Sequence, residues 1–328
     1  IFSLNRFTLK KINNVKSYKI PEKWDGYIAY TFEKKTSDKL KNKTDVDNDK
    51  TNSIRKTKKS SSKNGYPLVI HNLNNSAEDT IHFVTSYTFS KKSNVLAYAT
   101  SGIKDSIHPG VYIKNLKSNL TQNVYKSHDK AKYYKLSLSD SAKNLAFIVD
   151  NDSTKSYQKS NELYNWSFPN QEAKLIVNKT NSPEGGYGVS SDGTLNFSND
   201  ESKLYFGLAL PKIVQDTLLI EEEIVNVEVW TYNEPRLYTI QEKQLNNDKK
   251  KSFKTVYHLK KDKLVQIASK EFPDAILTED GDKDYALISR IEPYQLGSQW
   301  TAQFSKNDLA IININDGVKK LAIKGNPS

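Results

Sequence analysis

The sequence predicts an all-β protein built from repeated four-stranded antiparallel units. The first observation is a hairpin pattern that occurs five times along the 328 residues: an apolar strand, a polar turn and a second apolar strand. The second observation is another kind of strand pair that lies between these hairpins. The third is the composition, because 19 Tyr and 12 Phe favour strands and suit half-buried positions.

The recurring hairpin is clearest in residues 84–102, where "SKKSN" interrupts an alternating run and "VLAYAT" resumes as a second strand. Alternation with a period of two, split by a polar turn, is the signature of a β-hairpin. The strings "YIAY", "NLAF", "KLYF" and "DYAL" take the place of "VLAY" in the other copies, at residues 15–35, 134–152, 195–209 and 275–292. The sequence therefore predicts five inner hairpins.

The second strand pair has the form of "GVYIKNLKSNLTQNVYK" at residues 110–126. Four further pairs of this shape occur at residues 67–83, 162–178, 255–269 and 309–325. The opening residues "FSLNRFTLKKI" resemble the end of such a pair. One inner hairpin followed by one outer pair makes a four-stranded unit.

The spacing of the units predicts a β-propeller of four-stranded blades. Tyr98, Phe147, Phe206 and Leu287 occupy the same slot, at intervals of 49, 59 and 81 residues. A propeller blade repeats about every 40 to 50 residues, so the longer intervals carry insertions. Radial stacking lets each sheet cover its neighbour and removes long exposed edges. We expect about five blades in residues 1–328, forming an incomplete ring because both chain ends fall inside the pattern; the alternative is an open β-sandwich.

No region of the sequence predicts a helix. The ambiguous stretch is "TLLIEEEIVNVEVWTY" at residues 217–232, which begins with an acidic segment. Val225, Val227 and Val229 alternate into Trp230. This alternation of β-branched residues favours a strand entered from an acidic loop.

The basic charge of the chain is concentrated in one insert. The net charge is +11, and residues 34–64 hold eleven Lys or Arg against four Asp. Such a segment has almost nothing to bury, so we expect a disordered, solvated loop. Nucleic-acid binding needs a basic face with interleaved aromatic residues on a folded element, and none is visible. We therefore expect no nucleic-acid partner.

Several kinds of chemistry are excluded or disfavoured by the motifs. The chain has no Cys, which excludes disulfides and thiolate sites, and no stretch is apolar enough to span a bilayer. The five His residues lack metal-ligand spacing, and His71 and His258 occupy equivalent strand positions that suggest a structural role. The string "GVSSDG" at residues 188–193 has the wrong spacing for a nucleophile elbow. We expect no catalytic residues, no metal site and no cofactor in this chain.

The acidic run Glu221, Glu222 and Glu223 is the one dense carboxylate cluster in the sequence. Neighbouring strand residues alternate faces, so at least one of these side chains should face solvent or a channel. Such carboxylates either bind a cationic group, such as a peptide amine, or form a solvated loop. Arg236, in "YNEPRLY", could pair with them structurally. These four residues are the candidate substrate-binding residues.

Several strings together resemble the N-terminal propeller of the prolyl oligopeptidase family of serine peptidases, especially its large exported bacterial members. They are "VKSYKIPEKWDGYIAY", "GYPLVIHNL", "VTSYTFSKKSNVLAYAT", "GVYIKNL", "LNFSNDESKLYFG", "DTLLIEEEIVNVEVWTYNEPRL" and "SFKTVYHLKKDKLVQIA". The resemblance runs nearly the full length. The acidic stretch that leads into "VEVWTYNEPRL" is its most diagnostic part.

The resemblance implies two domains, one that admits substrates and one that cleaves them. In that family the propeller precedes an α/β-hydrolase domain that carries the Ser, Asp and His, so none of these positions falls in this chain. The propeller caps the active site and admits short peptides, which would be the substrates here. The resemblance also implies a periplasmic or secreted location. The alternative is a non-enzymatic propeller that serves as a protein-binding scaffold of the cell envelope.

Overall fold

The computed structural model describes residues 2–3, 8–33, 65–101, 108–127, 131–151, 160–183, 186–212, 231–300 and 305–327. The predicted Lys-rich insert at residues 34–64 lies outside the described residues, as does most of the predicted strand at residues 217–232. Thr231 and Tyr232, the described end of that stretch, are not in a strand. The chain is almost entirely antiparallel β-sheet in the described ranges, which confirms the predicted fold class.

The strands form a short N-terminal hairpin and five successive blades. The hairpin pairs β1 (Phe2–Ser3) with β2 (Thr8–Leu9). Blade I consists of β3 (Val15–Lys19), β4 (Tyr27–Phe32), β5 (Tyr66–Asn72) and the first half of β6 (Glu78–Phe89). Blade II consists of the second half of β6, β7 (Val95–Thr100), β8 (Gly110–Asn115) and β9 (Thr121–Lys126).

Blades III, IV and V follow the same meander. Blade III is β10 (Lys132–Leu138), β11 (Asn144–Asp150), β12 (Asn161–Ser167) and β13 (Lys174–Val177). Blade IV opens with two short strands on one edge, β14 (Gly188–Val189) and β15 (Asn196–Phe197), followed by β16 (Lys203–Ala209), β17 (Phe253–His258) and β18 (Lys263–Gln266). Blade V is β19 (Asp274–Leu277), β20 (Tyr285–Arg290), β21 (Lys306–Asn313) and β22 (Lys319–Pro327). All five predicted inner hairpins are present.

Strand β6 joins the first two blades into one seven-stranded sheet, a connection that the repeat pattern does not predict. Its first half pairs with β5 and its second half with β7. The change of partner occurs at Phe83, whose φ of 61° is left-handed. Gly65 lies against this kink, and a Cβ there would be 2.2 Å from the Phe83 carbonyl oxygen. The close approach of the two backbones therefore requires glycine at position 65.

Blades II, III and IV bury both faces against their neighbours. In β11, Leu145, Phe147 and Val149 pack against blade II, whereas Ala146 and Ile148 pack against blade IV. Successive strand residues point to opposite faces, so one strand supplies both interfaces. Similar apolar clusters join blade I to blade II and blade IV to blade V. This face-to-face stacking of successive four-stranded blades is that of a β-propeller.

The repeat alignment is correct for three of the marker residues and wrong for the fourth. Tyr98, Phe147 and Phe206 lie in three different sheets, each facing the preceding blade. In blade V, Ala286 and Ile288 face the preceding blade. Leu287 therefore lies on the opposite face, because a slip of one residue moves a side chain across the sheet.

Within the described ranges the structure contains two α-helices that the sequence does not predict. Helix α1 (Tyr238–Asp248) lies between β16 and β17, and α2 (Glu292–Trp300) lies between β20 and β21. No residue of α1 is buried, so the helix has no apolar stripe that periodicity could reveal. Its Gln, Glu, Lys and Leu residues are good helix formers, and this local preference is the available signal. No helix in the described ranges is long and apolar enough to cross a membrane.

Candidate functional site

One end of the stack is closed by short turns that bond to one another. We call it the turn face; it consists of the turns between the first and second strands, at residues 20–26, 90–94, 139–143, 198–202 and 278–284. Trp24 Nε1 donates to the Ser90 carbonyl oxygen at 2.9 Å, which joins blade I to blade II. The Lys92 N–H donates to the Asp140 carbonyl oxygen at 2.9 Å, which joins blade II to blade III.

The same contact pattern continues to the last blade. The Glu201 carboxylate accepts from the Ser141 N–H at 2.5 Å and so joins blade III to blade IV. The Asp200 N–H donates to Asp282 Oδ1 at 3.0 Å and joins blade IV to blade V. The five turns therefore lie at one end of the stack. Hydrogen bonds between neighbouring turns hold the blades together there.

The opposite end, which we call the loop face, carries the long connections. In an antiparallel meander the connection between the second and third strands lies at the end opposite to the first turn. These connections are residues 33–65, 101–109, 151–160, 210–252 and 291–305, between nine and 43 residues long. The first turns have only five to seven residues. Binding and catalytic residues are found disproportionately on such connections, which a rigid scaffold positions.

The connections of blades IV and V meet at the loop face. Residues 231–237 lead into α1, and Gln299 near the end of α2 donates to the Pro235 carbonyl oxygen. Tyr232 is 81% exposed, and Leu237 and Tyr238 are about half exposed. This segment is therefore an accessible aromatic and aliphatic surface rather than part of a core.

A small pocket lies in this surface. Its volume is about 100 Å³, well below the ~300–1,000 Å³ of pockets that hold a small-molecule ligand. Its lining combines phenol, guanidinium, carboxylate and amide groups with one aliphatic side chain. The residues are Tyr232, Glu234, Arg236, Tyr238 and Gln299, together with Leu237. This space suits a single side chain. The lining provides binding groups and no nucleophile paired with a general base.

Arg236 lines the pocket and forms an ion pair with α1. Its Nη2 lies 2.7 Å from Asp248 Oδ2, at the far end of α1. Gln241 donates to the Arg236 carbonyl oxygen at 2.8 Å and to Glu234 Oε2 at 3.3 Å. Both charged side chains are partly exposed, so the pair contributes little stability by itself, typically up to ~1 kcal/mol. Its geometric effect is to hold the loop of residues 231–237 against α1.

Of the four candidate residues that the sequence predicts, the structure describes one, Arg236. Arg236 lies at the pocket and pairs with Asp248, a partner that the sequence pattern does not indicate. Glu221, Glu222 and Glu223 lie outside the described residues, so their role and their pairing with Arg236 stay predictions. Asp248 and Gln299 were missed because one lies at the end of an unpredicted helix and the other comes from a different blade.

The predicted structural roles of two histidines agree with their surroundings. Both side chains are buried, His71 beside Glu78 at 2.9 Å and His258 beside the Ile314 carbonyl oxygen at 2.8 Å. Burial lowers the pKa of His258; the hydrogen bond to Ile314 raises it in part, and the charges of Lys261, Lys203 and Lys263 lower it further. Within the described ranges no three His, Asp or Glu side chains cluster as a metal site would require.

The string "GVSSDG" forms the end of β14 and the connection that follows it. It runs from β14 towards β15, and Ser190 Oγ accepts hydrogen bonds from the N–H groups of Asp192 and Gly193. Gly193 lies against Gly207 of β16, where a Cβ would be 2.7 Å from the Gly207 Cα. The Ser and Gly residues therefore build a tight turn against the blade.

Comparisons with known proteins find likeness in structure and none in sequence families. No protein-family model matches the sequence, and no curated protein matches it. TolB from Acinetobacter baumannii is 12% identical over 79% of this chain and 49% of its own, with a TM-score of 0.34. A prolyl endopeptidase is 9% identical over 96% of this chain and 36% of its own, with a TM-score of 0.42.

A third solved structure, the acylaminoacyl peptidase from Pyrococcus horikoshii, is 10% identical over 94% of this chain and 39% of its own, with a TM-score of 0.39. The chain thus spans between 36% and 49% of the length of these three proteins. At such identities and TM-scores the likenesses carry no argument about activity.

Proposed function

We propose that this chain is the substrate-gating, non-catalytic propeller of a serine peptidase that cleaves short peptides. The hydrolase domain would lie outside residues 1–328 and sit on the loop face, and the whole protein would be periplasmic or secreted. The observation that carries the proposal is the asymmetry of the stack. At one end the first turns of the blades are hydrogen-bonded to one another, and the strand ends that the long connections join lie at the other end.

The exposed segment at residues 231–238 supports this orientation. Tyr232, Leu237 and Tyr238 are accessible apolar groups, and such groups are typical of surfaces that contact a partner or a substrate. The pocket beside Arg236 is too small for a peptide but large enough for one side chain. A gating domain needs to contact only part of the substrate, since it selects peptides by size and does not cleave the peptide bond.

The test uses the protein made from its own gene together with the 328-residue chain. We expect a fluorophosphonate probe, which labels activated serines, to label the longer protein at a serine outside residues 1–328. We also expect kcat/KM to fall steeply as peptide substrates lengthen, and no peptidase activity from the 328-residue chain alone. The absence of a fluorophosphonate-reactive serine would instead favour the envelope scaffold, for which the same exposed surface would bind another protein.

A variant of the pocket tests the gating role specifically. Arg236→Gln removes the tie between residues 231–237 and α1, so it should raise the relative rate for longer peptides while the rate for the shortest ones stays unchanged. Lys243→Gln, which changes an exposed residue of α1 itself, is the matched control. Equal length profiles for the two variants would contradict a gating role of this surface.

A further inference from the structure

The outward face of blade V is an open sheet face with the composition of an inter-blade interface. Ile276, Leu287 and Ile311 lie side by side in register across three strands, and Leu309 pairs with Ile323. Ile276, Ile311 and Ile323 are 66%, 46% and 48% exposed. In blades I to IV the corresponding face is buried against the next blade.

A recurring polar contact marks each inter-blade interface. A side chain from the first or second residue of the fourth strand reaches the end of the third strand, or the turn after it, in the next blade. Between blades I and II, Asp79 contacts Lys114 Nζ at 2.9 Å. Between blades II and III, Gln122 Nε2 donates to the Asn170 carbonyl oxygen at 3.1 Å.

The two following interfaces repeat the contact. Between blades III and IV, Lys174 Nζ lies 2.6 Å from Asp262 Oδ2. Between blades IV and V, Lys263 Nζ donates to the Asn315 carbonyl oxygen at 2.7 Å. In blade V the equivalent position is Lys320, the second residue of β22, which is exposed and pairs in register with Ile311 on the open face.

The other end of the stack is different. The backward face of blade I is covered at its centre, where Tyr30, Val69 and His71 are 3–4% exposed, whereas Tyr18, which pairs in register with Tyr30, is 67% exposed. Lys10, from the segment before β3, crosses to Glu78 at 2.7 Å on this side. The centre of this face is therefore not free to pack against blade V of the same or another copy.

We propose that the outward face of blade V binds a sixth four-stranded antiparallel blade of the same polypeptide, outside residues 1–328. The turn between its third and fourth strands would present a carbonyl or carboxylate oxygen to Lys320, as Asp262 and Asn315 do to the lysines before them. The blade would pack small and aliphatic side chains on Ile276, Leu287 and Ile311. This inference is independent of the proposed function, since a scaffold propeller would need the same blade.

Photo-crosslinking tests the proposal in the protein made from its own gene. p-Benzoylphenylalanine replaces Ile311 on the open face or, as a control, Leu120 in a turn of blade II, which is 72% exposed. We expect position 311 to cross-link within the same polypeptide to a strand outside residues 1–328, at least about ten-fold more than position 120. Cross-links to residues 1–328, to a second copy or to another protein, or yields equal to the control, would overturn the proposal.

A stability comparison provides the second readout. Ile311→Glu should leave the melting temperature of the 328-residue chain unchanged, because the side chain is already half exposed there. In the protein made from its own gene, the same substitution should lower the melting temperature by several degrees, whereas Leu120→Glu should not. An unchanged melting temperature in both proteins would show that nothing covers this face.

Discussion

His258 Nε2 lies 2.8 Å from the carbonyl oxygen of Ile314, so the last residue of β17 in blade IV is tied to the turn that follows β21 in blade V. Because the acceptor is a carbonyl, the ring nitrogen must carry a proton and donate it. The ring is buried, and it is neutral in the folded protein because burial lowers its pKa. Burial therefore lowers the pKa of this interface residue by more than its hydrogen bond to Ile314 raises it.

This relationship predicts a loss of stability in acid. The unfolded chain takes up a proton at His258 near pH ~6.5, whereas the folded protein resists it, so the contribution is complete above pH ~6.5 and is lost as the pH falls through the lowered folded value. His258→Gln removes the titration, so its free energy of unfolding should fall less than that of the unsubstituted chain between pH 7 and 5. Parallel curves, measured by urea denaturation, would contradict this role.

Phe147 should be one of the most costly positions to truncate. Its ring is fully buried at the interface of blades II and III and stacks on Tyr164, with centroids 5.5 Å apart. Phe147→Ala should lower the free energy of unfolding by about 3–5 kcal/mol. Phe168→Ala is the matched control, because that ring is 67% exposed, and its effect should stay within about 0.5 kcal/mol. Urea denaturation followed by tyrosine and tryptophan fluorescence measures both.

Replacing Gly65 or Gly297 with alanine should change the stability of the protein in opposite directions. Gly65 has a φ of +61°, and a Cβ there would meet the Phe83 carbonyl oxygen, so Gly65→Ala should lower the melting temperature markedly. Gly297 lies inside α2 with open space around it, so Gly297→Ala should stabilise the protein by up to about 1 kcal/mol. Calorimetry of the two variants checks the kink in β6, because equal melting temperatures would contradict it.

Asp308 should be the key polar residue of blade V. Its carboxylate accepts from Arg290 Nε at 2.9 Å, from the Tyr294 hydroxyl at 2.6 Å and from the Gly325 N–H at 3.0 Å. These bonds, led by that from Tyr294, lower the pKa of Asp308. Asp308→Asn should lower the melting temperature more than Glu271→Gln, whose carboxylate is half exposed. A smaller effect at Asp308 would show that α2 is held on the blade in another way.

The blade pattern was predictable because it is local. Each inner hairpin is marked by an alternating run such as "VLAYAT" and a polar turn, and the same strand buries alternate residues on both faces. The joining of blades I and II through β6 was not predictable from the sequence. It depends on the contact between Gly65, which precedes β5, and Phe83 in β6, and no single hairpin pattern includes both residues. Leu287 was misassigned because "DYAL" begins at Asp284, one residue before β20, whereas the aligned string "KLYF" begins with the first residue of β16.

The site was less predictable than the fold. Arg236 was found because it lies in a distinctive string, but its partner Asp248 is brought close by a helix without an apolar stripe. Gln299 reaches the same loop from another blade, and no local pattern in a single sequence reports such a contact. The turn face was similarly hidden, since its contacts join polar residues whose spacing varies with each insertion.

Zero-length cross-linking of the unmodified chain tests the stacked order of the blades most directly. A carbodiimide couples a lysine to a carboxylate only where the two are in contact. We predict linked peptides for Lys91 with Glu22, Lys92 with Asp140 and Lys174 with Asp262, whose atoms lie 3.4, 3.0 and 2.6 Å apart and join blade I to II, II to III and III to IV. Mass spectra without these three links, but with links between non-neighbouring blades, would contradict the propeller.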